Sequence, residues 1–228
     1  MANVVENIKS RGHWDVSIRP EAFLKTRIPK ATDLYPILER SKVRLRGWDY
    51  PHLEDRAHIR GDHIEQDFHW DMYLEALRFF QSGLFVHLAG MPEDWRDVSG
   101  FWPKDEHWRP GRDLSIERTV FRATEIFEFA SRLSQTAAGD ETMHIEVKLV
   151  GLDGRRLTVE PNRMPFLPDK VSEVNEFTMF EGAVSRTELI ARARELAVET
   201  STSLFHQFNW DAQVGVMREV QQQLGRFL

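Results

Sequence analysis

The sequence predicts an α+β fold: a mainly antiparallel sheet packed against a central helix, with two C-terminal helices. Three observations carry that expectation. Segments with alternating apolar and polar residues recur along the chain without the regular strand–helix alternation that builds parallel sheets. One long helical apolar face spans about Ile116 to Leu133. Two further amphipathic stretches close the chain.

Trp14, Val16 and Ile18 alternate with polar residues and read as a first strand ending at Pro20. A short helical turn is expected around Glu21 to Lys25. Thr32 or Asp33 can cap a helix reaching Arg40, with Pro36 early enough to be tolerated. Lys42 to Trp48 and His63 to Phe68 both alternate as strands. Leu74 to Phe80 and Leu84 to Ala89 flank Gln81-Ser82-Gly83 as a hairpin, although Glu75, Ala76 and Leu77 are good helix formers. Residues 91–112 form a Trp- and Pro-rich loop of a length that compact domains usually reserve for function. In the following helix Val120, Ala123, Phe127 and Ala130 share a face, widened by Phe121, Ile126, Phe129 and Leu133. His144 to Val150 and Arg155 to Glu160 surround Leu152-Asp153-Gly154 as a second hairpin, and Phe177 to Phe180 adds a strand. Leu189, Ala193, Leu196, Ala197 and Thr200 mark a helix reaching about Phe208. Val216, Met217, Val220, Leu224 and Phe227 mark the last one, with Asp211 as its cap. The chain reads as a single domain over 1–228, with a sub-domain boundary near 100–112 as the alternative.

Composition narrows the function classes. A hydrophobic fraction of 41% with 11% aromatics is that of an ordinary globular protein. The absence of cysteine excludes disulfides, thiolate metal sites and cysteine nucleophiles, and fits a reducing cytoplasm. The first residues lack the apolar core of a secretory signal, and no apolar run approaches the ~18 residues that span a bilayer. A cytoplasmic protein without a membrane partner is expected. The net charge of −6 argues against indiscriminate coating of nucleic acid, yet it is uneven: residues 1–47 carry +5 and the remainder −11.

Residues 42–71 hold the densest mixture of basic, acidic, aromatic and imidazole groups. On a strand, Lys42, Arg44 and Arg46 would share one face, with same-face neighbours roughly 6.6 Å apart, near the phosphate spacing of an extended single strand. Trp48, Tyr50 and His52 follow, and Trp48 and Tyr50 could stack bases. The commoner alternative is a cross-strand charge ladder with Glu65 and Asp67 opposite the cations. His52, His58, His63 and His69 lie at spacings of six, five and six residues, which match neither HxxxH nor HExxH. No metal or other cofactor is therefore expected, with His63 and Asp67 as the alternative ligands. Glu146-Val147-Lys148 is similar to the Glu-x-Lys element of metal-dependent nucleases, in which the lysine activates the attacking water. Glu117, Glu125, Glu128 and Asp140 lie upstream of it, but Glu146 and Lys148 equally suit the solvent face of a strand. Trp95, Trp102 and Trp108 can form an aromatic pocket or pin the long loop to the body.

Leu45-Arg46-Gly47-Trp48-Asp49-Tyr50-Pro51-His52, followed by Arg78-Phe79-Phe80-Gln81-Ser82-Gly83-Leu84-Phe85, resembles a pairing in uncharacterised bacterial proteins. Some of these accompany the AlbA-like ATP-binding domain also found in Schlafen proteins. The resemblance implies a bacterial origin and nucleic-acid biology or phage defence, and brings no catalytic residues. The resulting expectation is a non-enzymatic binding or interaction module. Its binding residues would be Lys42, Arg44, Arg46, Trp48, Tyr50 and His52, and its partner a protein, a second copy of itself or a nucleic acid. The alternative is a metal-dependent hydrolase of the nuclease class, using Glu146 and Lys148.

Overall fold

The computed structural model describes residues 3–54, 58–100, 106–159 and 166–226. In chain order the elements are α1 (Val4–Lys9), β1 (His13–Pro20), α2 (Leu34–Ser41), β2 (Val43–Arg44), β3 (Asp49–Tyr50), β4 (His58–Arg60), β5 (His63–Trp70), β6 (Tyr73–Phe80) and β7 (Phe85–Gly90). There follow β8 (Asp113–Ser115), α3 (Ile116–Ser134), β9 (Thr142–Val150), β10 (Arg156–Thr158), β11 (Glu176–Ser185), α4 (Arg186–His206) and α5 (Val214–Gln222). Seven strands form an antiparallel sheet in the order β11-β9-β1-β7-β6-β5-β4.

Strand alternation decides which face is buried. Val16 and Ile18 on β1, Phe79 on β6, Phe85 on β7 and Ile145, Val147 and Leu149 on β9 turn inward and join the apolar face of α3 in one core. Helix α4 packs against both α3 and β11, and α5 closes over α3 and α4. On the opposite face Ile8 of α1 meets Met72, Leu74, Ala76 and Trp95 in a second, smaller cluster. Ser115 and Ser185 cap α3 and α4, their hydroxyls accepting from the backbone N–H groups of Arg118 (3.2 Å) and Glu188 (3.1 Å). Among the described residues no helix is long and apolar enough to cross a membrane.

The α+β architecture, the central helix and the two C-terminal helices match the reading of the sequence, as do β1, β5 and the β6–β7 hairpin. Five local expectations do not. Asp33 stands before α2, but its side chain makes no capping hydrogen bond, and Thr32 lies within a 3-10 turn that leads into the helix. Residues 21–25 form bends and turns, without a helix. Residues 42–48 are no continuous strand: Gly47 takes φ 77, and the chain folds back so that Val43 pairs with Tyr50 and Arg44 with Asp49. The turn at Leu152–Gly154 joins β9 to β10 without pairing them, because both edges of β9 are already taken by β1 and β11, while β10 pairs in parallel with β8. Asp211 does not cap α5; Gln213 precedes that helix, and the Asp211 carboxylate faces His206 Nε2 at 3.3 Å. Glu160, Trp102 and Phe227 lie outside the described residues.

The redirected turn has a physical anchor. Arg155 is 0% exposed and Asp94 1%. The Arg155 Nη1 donates to Asp94 Oδ1 (2.8 Å) and to the Asp113 carbonyl (2.8 Å), Nη2 donates to Asp94 Oδ2, and Nε donates to the Gly151 carbonyl (2.5 Å). Asp94 also accepts from the backbone N–H of Gly12 (2.8 Å) and of Gly111 (2.8 Å). A Cβ on Gly12 would run into the Arg155 guanidinium, which explains glycine there. Removing one partner of such a pair leaves an uncompensated buried charge. Asp94→Ala is therefore expected to lose about 3–5 kcal/mol in chemical denaturation. Replacing Arg155 with Met as well should recover part of that loss.

Candidate functional site

The basic stripe divides once the chain folds back at Gly47. Lys42 Nζ lies 2.5 Å from Glu39 Oε1 and 3.0 Å from Asp49 Oδ2, and Arg44 pairs with the same Asp49 carboxylate. Burial would push the Asp49 carboxyl up, but Arg44 and Lys42 hold it below the usual carboxylate range. Arg46 turns toward α3 and grips Glu125 with two parallel hydrogen bonds of 2.7 and 2.8 Å. The three cations thus share no phosphate-tracking face. Glu65 and Asp67, the expected ladder partners, pair instead with Arg60 and Arg78. Tyr50 is 1% exposed, with its ring edge-on to His87 and Phe129, so it cannot stack on a ligand.

Trp48 and His52 enter an aromatic cluster. Their rings stack at 4.5 Å and 19°, and Trp48 also lies nearly parallel to Trp70 (5.7 Å, 19°) and Tyr73 (5.8 Å, 23°). Trp70 and Tyr73 are 6.2 Å apart at 8°, and Phe68 tilts against His52 at 4.1 Å. These offset arrangements are the ones that aromatic quadrupoles favour. Trp70 ends β5 and Tyr73 begins β6, and Asp71 between them takes φ 53 to make the tight turn. The Asp71 carboxylate accepts from Ser99 Oγ (2.8 Å) and Gly100 N (3.0 Å), which draws the long loop to the edge of the cluster. Trp70 remains 48% exposed.

Beneath the cluster lies a buried charge network. Glu75 on β6 and His87 on β7 occupy inward positions, in register with Ala89 and Leu77 respectively. Glu75 Oε2 meets His87 Nε2 at 3.1 Å, and Arg122 Nη2 donates to Glu75 Oε1 at 3.0 Å. Arg122 Nε is 3.8 Å from Glu125, and its guanidinium lies 5.1 Å over the Tyr50 ring. Burial alone would push the Glu75 carboxyl up, but Arg122 and His87 hold it far below the usual range. Burial opposes the charge on Arg122 as well; Glu75 and Glu125 overcome it and raise its pKa. Burial likewise pushes the Tyr50 phenol up. Tyr50 Oη, His87 Nδ1 and Trp48 Nε1 are buried with no hydrogen-bond partner among the described residues.

A cavity of about 30 Å³ opens on this network, walled by Trp14, Arg46, Tyr73, Glu93, Arg118 and Arg122 among others. Tyr73 belongs to both the aromatic cluster and the cavity wall, so the two are continuous. Arg118 hydrogen-bonds Tyr73 and stands 4.0 Å from Glu93. Arg118, Arg122 and Glu125 follow at helical spacing on α3. Glu125 was legible only as one of several carboxylates upstream of Glu146. Glu75, His87, Arg118 and Arg122 carried a fainter signal, charged or imidazole groups at positions that the period assigns to the core.

The other candidates lie elsewhere. Glu146 and Lys148 stand on the outer face of β9, with Lys148 Nζ 3.7 Å from Glu146 and 3.1 Å from Glu176. Glu128 pairs with Arg194 and Asp140 with Arg27. His63 faces Asp62 at 3.2 Å and Phe80 at 4.8 Å, while Asp67 is held by Arg78 at 2.7 Å. Among the described residues no three His, Asp or Glu groups converge as metal ligands. Trp95 packs beneath the Arg11 guanidinium and so ties the loop to the body, whereas Trp108 Nε1 donates to the Glu93 carbonyl at 2.8 Å within the loop itself.

The pH dependence of the network follows from Glu75. Its folded-state pKa lies below the unfolded one, so its stabilisation is complete above the ordinary carboxylate range and is lost as pH falls through and below that range. Denaturant titrations between about pH 7 and about pH 3 should show wild-type stability declining below about pH 5. Glu75→Gln should start about 3–5 kcal/mol lower at neutral pH and decline less steeply. No protein-family model, curated protein or solved structure matches this chain.

Proposed function

We propose that the chain is a non-catalytic binding module that engages single-stranded nucleic acid by stacking an unpaired base on the Trp48–Trp70–Tyr73 cluster. The observation that carries this reading is the near-parallel set of rings that includes half-exposed Trp70. Every base has a π-face, so such a platform binds without demanding sequence, and each stacked base is worth about 1–3 kcal/mol. The neutralised Lys42, Arg44 and Arg46 provide no track for a long backbone, which agrees with the acidic balance of the chain. A short footprint of one or a few nucleotides suits both facts. The 45–52 and 78–85 segments resemble uncharacterised bacterial proteins, some of which accompany an AlbA-like domain, and that resemblance implies the same biology. A hydrolase built on Glu146 and Lys148 has less support, since Lys148 is engaged by two carboxylates on an open sheet face.

Titration with short single-stranded oligonucleotides, followed by tryptophan fluorescence at low salt, tests the proposal. Trp70→Ala is expected to weaken binding roughly tenfold. Exchanging Lys42 and Arg44 together for Ala should change affinity by no more than about twofold, with a shallow salt dependence. Oligonucleotides that fail to bind, or that bind Trp70→Ala as tightly as wild type, would overturn the reading. Self-association reduced by Trp70→Ala would instead assign the platform to a second copy of the chain.

A further inference from the structure

We propose that the outer edge of β11 receives an extended segment of a partner protein, alternately basic and apolar, as an eighth strand of the sheet. The inference is independent of the stacking reading, since β11 lies at the opposite end of the sheet order from β5 and β4. Among the described residues β11 pairs with β9 alone, so one side of its ten-residue backbone has no strand partner. Such an edge is a template for a further strand, and proteins commonly blunt it with shortness, a bulge, proline or charge. The other edge follows that rule, since β4 has three residues. β11 has neither proline nor lysine, and beyond the irregularity between Thr178 and Phe180 its register with β9 is unbroken to Ser185. Its charges are glutamates, and they decide which strand fits.

Glu181, Ala183 and Ser185 are exposed on one face of β11, while Phe180 and Gly182 are half-buried and Val184 buried on the other. A strand laid alongside sets every second side chain near Glu181 and the alternate ones near Phe180 and Val184. Glu181 stands directly opposite Glu146 on β9, with no ion-pair partner among the described residues. Like charges so placed destabilise a sheet, and a cation on the incoming strand relieves that repulsion. The surroundings have the same sign. Lys148 is shared by Glu146 and Glu176, and on α4, which packs on β11, Arg192 is shared by Glu188, Glu195 and Glu199. A second copy would bring the same acidic excess against itself, so a basic partner fits this edge and a homodimer does not. Gly182 gives a separate sign. Its φ is not left-handed, and a Cβ there would meet only the Phe180 ring, at an ordinary 3.7 Å. Nothing within the chain requires this glycine, which weakens the strand; the close approach of another backbone does.

The experiment measures fluorescence anisotropy of three labelled peptides as long as β11, with the full chain. One alternates lysine and valine, one alternates glutamate and valine, and the third is the lysine–valine peptide N-methylated at every residue. The lysine–valine peptide is expected to bind, and the glutamate–valine peptide to bind at least about tenfold more weakly. N-methylation keeps the charge and removes the backbone donors, so it should weaken binding by about tenfold or more. Glu181→Lys should weaken the lysine–valine peptide roughly fivefold, and Gly182→Val should weaken it without lowering Tm. Hydrogen exchange locates the site: slower exchange of the Glu176–Ser185 amides on adding the lysine–valine peptide supports strand addition. Equal binding of the N-methylated peptide, or no added protection on β11, would reduce the contact to adsorption by charge and overturn the inference. A lysine–valine peptide that fails to bind overturns it as well. So does protection of β11 that grows with protein concentration in the absence of peptide, which assigns the edge to a second copy of the chain.

Discussion

The Asp94–Arg155 pair is the constraint through which the periphery of this fold is held together. One carboxylate and one guanidinium, both removed from water, gather the start of β1 at Gly12, the loop at Gly111, the end of that loop at Asp113 and the turn after β9 at Gly151. Desolvating two charges is unfavourable, and the pair tolerates it because its hydrogen-bonding capacity is met by backbone groups as well as by the partner. The same contacts carry β10 away from β9 to meet β8. The 3-10 turn Pro92–Trp95 that presents Asp94 also presents Glu93 to the cavity, so the anchor and the candidate site share a short segment of chain.

A second buried network does for the interior what that pair does at the edge. Glu75, His87, Arg122 and Glu125 join β6 and β7 to α3 by charge-assisted bonds where the rest of the interface is apolar. Apolar packing alone fixes separation better than rotation or translation along the helix; a directional bond fixes both. Arg46 extends the network to the 42–50 hairpin through Glu125 and so sets the height at which Trp48 meets Trp70 and Tyr73. The aromatic platform is thereby tied to the core, and not to a loose surface loop.

Much of the architecture was legible because burial imposes periods. Val16 and Ile18, Ile145 and Val147, and the wide face of α3 declare strand and helix by spacing alone. The errors arose where local signals are shared by competing structures. Alternation over Lys42–Trp48 looks like a strand until Gly47 takes a left-handed conformation, and a turn after β9 looks like a hairpin unless both edges of β9 are known to be occupied. The site was only partly legible. Trp48 and Tyr50 were expected to stack bases and His52 to bind beside them; the ring cluster of Trp48 and His52 with Trp70 and Tyr73 forms only through the register of β5 and β6. Tyr50 was expected beside them and is instead sealed in the core against Phe129 and His87.

By itself, the sequence determined the α+β class, the buried faces of the main elements and the absence of cysteine chemistry. Each follows from short-range periodicity or from composition, which a linear chain carries in full. Only the tertiary structure decided which charges neutralise one another. Arg46 and Glu125, Glu75 and Arg122, and Asp94 and Arg155 are far apart along the chain, and each side chain could have paired with many others. Coulombic attraction has no sequence period, and the close approach and desolvation that make these pairs specific exist only after the sheet and α3 have packed.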